Sequence, residues 1–159
     1  MKPAARIAVP LVAVAALAGC AHSPSTAAIV GDKVISEAEV TEAVNSCRKI
    51  NPQIKRLDVL FPLILGELSD EISPKLGRTI DAAKLRAAME TDPDTSQAFG
   101  TPCQKVVEGE LKMRYLQASV DVEAVLQELP RVEINPRYGT WSPRGIDPRG
   151  GSISVEKKS

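Results

Sequence analysis

Apolar and polar positions along this chain follow two periods, and the switches between them mark out the elements. Residues 29–35 place the apolar pairs Ile29-Val30 and Val34-Ile35 either side of Gly31-Asp32, which predicts a short β segment around a tight turn or bulge. Ser36 stands three residues before Glu39, the spacing of a capping box in which each side chain satisfies an unpaired amide at a helix start. Val40, Ala43, Val44 and Cys47 then recur at i, i+3, i+4 and i+7, one face of a first helix. Asn51-Pro52 closes it.

The strongest periodic signal comes next. Leu57, Leu60, Phe61, Ile64, Leu65, Leu68 and Ile72 share one helical stripe. Pro62 lies within it and either begins the regular helix or bends it, since proline lacks an amide and crowds the preceding turn. Pro74 and Gly77 end the segment. Asp81 is the expected cap of a short helix through Met89, and residues 91–102 read as a loop. A fourth helix is expected from Thr101-Pro102, a cap followed by proline at the first helical position. Val107, Leu111, Tyr115 and Ala118 lie down one side of it, with Met113, Leu116 and Val120 widening the stripe. Asp121 either caps a further helix bearing Val122, Val125, Leu126 and Leu129, or the two run on as one.

After Leu129-Pro130 the period returns to two. Val132, Ile134 and Pro136 alternate with Arg131, Glu133 and Asn135, an edge-strand pattern closed by a proline. One strand cannot stand alone, and the other strand candidate is residues 29–35. Pairing them predicts a two-stranded sheet in which the ends of the domain meet, with Val30, Val132 and Ile134 at the closure. Tyr138 and Trp141, two of only five aromatic residues, are expected to cover the helical core beside that seam. The expected fold is therefore mainly α: a bundle of four to five helices over residues 28–143, with a small sheet formed by its two ends. From residue 144 to 159, glycine, proline and charge with little apolar content predict a disordered tail.

The amino end reads differently. In "MKPAARIAVPLVAVAALAGC", Lys2 and Arg6 precede an uncharged apolar run and then small residues before Cys20. That order is a secretory signal, and its apolar run is shorter than the roughly 20 residues a spanning helix needs. Leu17-Ala18-Gly19-Cys20 resembles the lipobox of bacterial lipoproteins. The resemblance implies that residues 1–19 are removed and that Cys20 is lipidated, which would hold the chain on the extracytoplasmic face of the cell membrane. Two acyl chains suffice for stable anchoring, at about 0.8 kcal/mol per buried methylene. A plain secretory signal with an incidental cysteine, or an uncleaved anchor, is the alternative. Residues 20–27, small, polar and proline-bearing, read as a tether.

Charge and cysteine content narrow the chemistry. The whole chain carries 20 basic and 20 acidic residues, and losing Lys2 and Arg6 with the signal leaves a slight negative excess. That balance gives no support for a nucleic-acid partner. Cys47 and Cys103, an even pair in an exported chain, read as a disulfide, with two free buried thiols as the alternative. Closing that loop would stabilise the fold by about 4 kcal/mol in the chain-entropy view. The single histidine, His22, falls in the tether, and two thiols alone do not make a zinc site. Glu90, Asp92 and Asp94 read as a solvated loop, with weak cation binding as the alternative. With no Ser-His-Asp set and no phosphate-cradling glycine loop, the chain is not expected to be an enzyme, and no metal or cofactor is expected.

Two segments carry a resemblance. "AIVGDKVISEAEV" entering a helix is similar to the start of the N-terminal domain of SurA-type and PrsA-type foldases. "VEINPRYGTW" is similar to the returning strand of the actinobacterial lipoproteins of that group. Together they span roughly residues 27–141, and they imply a helical chaperone module closed by a small sheet. Full-length members insert a parvulin prolyl-isomerase domain between the helical halves. Here the connections are short and one histidine is available, so isomerase activity is not implied. The function expected is that of a tethered lipoprotein binding unfolded or exported polypeptides in a groove between helices, with Leu60, Phe61, Ile64 and Leu65 as the client-binding candidates. The alternatives are an assembly lipoprotein that docks one partner, or a small-ligand-binding lipoprotein with an enclosed pocket.

Overall fold

A computed structural model describes residues 23–142 and 144–150. The expected signal, Cys20, His22 and residues 151–159 lie outside them. The order of elements is β1 (Thr26–Val30), β2 (Lys33–Ser36), α1 (Glu37–Cys47), α2 (Arg56–Lys75), α3 (Ala82–Thr91), α4 (Gln104–Ser119), α5 (Val122–Gln127), β3 (Val132–Ile134), β4 (Thr140–Ser142) and β5 (Gly145–Asp147). The described chain is mainly helical, with five α-helices and a small antiparallel sheet.

That sheet has three strands in the order β2-β1-β3, not two. The expected single β segment is a hairpin folded at Gly31-Asp32, where Gly31 adopts φ +55°. Positive φ at the first of two central residues, with none at Asp32, matches a type II′ turn, whose twist suits the flanking strands. β1 lies in the middle. On one side Val30 faces Lys33; on the other, Val30 faces Val132 and Ala28 faces Ile134. Asn135 prolongs the second ladder by donating its amide to the Ala27 carbonyl (2.8 Å) and its side chain to the Thr26 carbonyl (3.0 Å). Two corrections follow for the segment boundaries. Thr26 and Ala27 are strand residues, so the tether does not extend to 27. At the other end, β4 and β5 form a second hairpin, pairing Trp141 with Ile146, so regular structure continues past 144, to Asp147.

α1 begins where the spacing predicts. The Ser36 hydroxyl accepts the Glu39 amide at 3.1 Å, while the Glu39 carboxylate turns outward to Lys105 (2.7 Å). Val40, Ala43, Val44 and Cys47 are all buried. α2 is the central element and begins at Arg56, so Pro62 lies inside the helix and does not start it. It stops in a Schellman motif: Gly77, at φ +63°, donates its amide to Pro74, and Arg78 donates to Ser73. Asp81 caps α3 through the Ala83 and Lys84 amides. α4 begins at Gln104, later than Thr101-Pro102, although the Thr101 hydroxyl accepts the Cys103 amide at 3.2 Å. Extended backbone at Val120 separates α4 from α5.

The buried face of α4 keeps only the edge of the expected stripe: Met113 and Leu116 are buried together with Val106 and Gly109, while Tyr115 is about half exposed. The cause is the crossing with α2, where a Cβ on Gly66 would stand 3.3 Å from the Gly109 Cα. Backbone this close requires the glycine face, and side-chain volume alone does not reveal it. Cys47 and Cys103 form a disulfide with Cα atoms 5.0 Å apart, joining the end of α1 to the cap of α4. The main core gathers β1, α1, α2 and α4. A smaller cluster of Ile72, Leu116 and Val125 packs the far end of α2 against α5.

Candidate peptide-binding groove

The segment Asn135-Pro136-Arg137-Tyr138-Gly139 welds the chain's end onto its beginning. Asn135 accepts the Arg137 amide and opens a 3₁₀ turn. The Tyr138 ring is buried, and its hydroxyl donates to Glu37 Oε2 (2.8 Å) while accepting from Arg56 Nε (3.1 Å). Glu37 in turn pairs with Arg56 at 2.7 Å and with Arg137 at 2.6 Å. Burial, ahead of the neighbouring Glu37 carboxylate, raises the Tyr138 phenol pKa, with Arg56 pulling the other way. Four side chains from α1, α2 and the returning turn thus lock one corner of the domain.

That corner fixes β4, and β4 builds one wall of a cleft. Trp141 is half-buried and stands against Phe61 of α2, ring centroids 6.0 Å apart and tilted by 39°. From there the cleft runs between α2, α4 and α5 with a volume of about 490 Å³. Phe61, Leu65 and Leu68 line it from α2, Met113 from α4, and Val122, Val125 and Leu126 from α5. Val122 is 57% and Leu126 48% exposed, although both are large aliphatic side chains that burial would favour. The rim is polar. Glu110 and Arg114 face each other one turn apart at 3.6 Å, Gln117 lies beyond them, and Arg144 rises from the β4–β5 hairpin.

The four client-binding candidates divide. Phe61 and Leu65 line the cleft. Leu60 and Ile64 are fully buried core residues and have no surface to offer; the stripe on α2 is wide enough that one edge faces the β-sheet and α1 while the other faces the cleft. The sequence pattern places Val122, Val125 and Leu126 on a further helix and Arg144 in a disordered tail, and marks none of them as a cleft residue. No sequence signal separates them: the helix expected to carry Leu129 ends at Gln127, and its shortness leaves Val122 and Leu126 about half exposed.

A second hollow, between α3 and α4, is lined by Ile80, Leu85, Leu111 and Tyr115. Asp92 accepts the Asp94 amide at 2.8 Å and closes a turn. Among the described residues no group of three or more His, Cys, Asp or Glu side chains could hold a metal ion, and no helix is long and apolar enough to cross a membrane. No family model, curated protein or solved structure matches this chain.

Proposed function

We propose that this protein is a lipid-anchored extracytoplasmic chaperone-like module that holds apolar segments of unfolded or exported polypeptides, without isomerase activity. The observation that carries the reading is the cleft itself. It is open, walled by Phe61 and Trp141, and floored by aliphatic side chains, two of which stay about half exposed. Exposed apolar surface gathered in a groove with a polar rim is the usual form of a protein-binding site. A half-open trough suits transient contact with many chains better than full enclosure of one small molecule.

Suppression of aggregation tests the reading. The wild-type protein at several-fold excess over a chemically unfolded client should lower light scattering, and Leu126→Asp should lose that effect while keeping its circular dichroism and melting temperature. Unchanged scattering with wild type defeats the proposal. The anchor is tested separately: palmitate label should enter the wild-type protein in growing cells and be absent from Cys20→Ala.

A further inference from the structure

We propose, building on the groove reading, that the cleft selects apolar segments followed immediately by an acidic residue, with Arg144 as the group that reads the acid. The cleft follows α2 from Phe61 to Leu68, roughly 10 Å at the helical rise, which is about three residues of extended chain. Its floor is apolar throughout, so charge discrimination falls to the rim. Three charged side chains stand there: Glu110, Arg114 and Arg144. Glu110 and Arg114 answer each other. Arg144 is exposed; its amide donates to the Ser142 hydroxyl, but no hydrogen bond or ion pair holds its guanidinium among the described residues, which leaves the rim of this cleft with one excess positive charge. Asp58 and Glu110 share the neighbouring hollow beyond Phe61 with Arg144, but neither pairs with it: Glu110 pairs with Arg114, and the Asp58 carboxylate accepts the Lys55 amide at 2.8 Å. Arg144 borders both hollows, at the point where a chain leaving the apolar trough would pass. A planar guanidinium there offers a paired fork of donors to a carboxylate, and a lysine at the same place in the client would be repelled.

Trp141, the one tryptophan of the chain, stands in the wall and reports occupancy by its fluorescence. The probes are three peptides with a common Leu-Ile-Leu core between Gly-Ser flanks, followed by Asp, Asn or Lys, titrated into the full chain. The Asp peptide should bind about three- to five-fold tighter than the Lys peptide, the range of an exposed ion pair, and 0.5 M salt should compress that ratio. Arg144→Gln should abolish the ratio, whereas Arg149→Gln, two residues past the hairpin and not lining the cleft, should retain it. Equal binding of the Asp and Lys peptides, or a ratio that survives Arg144→Gln, overturns the proposal while leaving the groove reading intact. Failure of all three peptides to bind overturns the groove reading, and this inference with it. A tryptophan shift that grows with protein concentration in the absence of peptide identifies a second copy of the chain as the occupant, and likewise overturns it.

Discussion

Gly109 of α4 lies directly against the Pro62 carbonyl of α2, so that a Cβ at Gly109 would collide with that oxygen. The two long helices therefore meet backbone to backbone. Substituting Gly109→Ala must push them apart, and overpacking of this kind costs about 1–3 kcal/mol. At Gly66 the nearest approach would be a less severe 3.3 Å. Urea denaturation should rank Gly109→Ala as clearly less stable than Gly66→Ala.

Core and groove separate by a second pair of substitutions. Leu60 is fully buried, and Leu60→Ala should cost about 2–5 kcal/mol. Val122 is more than half exposed, and Val122→Ser should change stability by no more than about 0.5 kcal/mol. In the client assay the order reverses: Val122→Ser loses binding, and Leu60→Ala retains it at temperatures where the protein stays folded.

The disulfide between Cys47 and Cys103 closes a long loop, with 56 residues of sequence separation. The chain-entropy estimate for its removal is about 4 kcal/mol. Denaturation of the Cys47→Ser/Cys103→Ser double variant should show most of that loss. Thiol titration of denatured, unreduced wild-type protein should find neither of these two sulfurs reactive.

Alkaline pH should loosen the locked corner. Burial keeps the Tyr138 phenol protonated above its ordinary range, and the carboxylate hydrogen bond of Glu39 likewise raises Lys105. In both cases the folded state binds protons that the unfolded chain has begun to lose. Their contribution is therefore complete below about pH 10 and declines as pH rises through the folded-state values. Melting temperatures measured between pH 8 and 11.5 should fall along the upper part of that range, and Tyr138→Phe should make the fall shallower.

Much of the chain's organisation was legible, and the limits have physical causes. The three-and-four spacing of Val40 to Cys47 located α1, and Asp81 marked the start of α3 because its carboxylate has amides to cap. The alternation around Val132 and Ile134 found a strand, and the need of every strand for a partner brought it to Val30. The same logic miscounted the strands, since a glycine with positive φ can as easily fold a hairpin as mark a bulge. α4 misled in another way. Its apolar residues suggested a face through Leu111 and Tyr115, but the packing is set by the absent side chains of Gly66 and Gly109. The groove was the least legible part. Leu60 and Phe61 are neighbours on one stripe, and no pattern of types states which of two adjacent apolar residues meets the core and which meets the cleft.

The place of β1 at the centre of its sheet has a mechanical meaning. The described chain enters through this strand almost at once, with ladders to β2 and β3 on either side. If the amino end is fastened to a bilayer, any tug from a captured polypeptide reaches the domain through a strand that must shear two rows of hydrogen bonds together. An edge strand in that position would peel away one bond at a time.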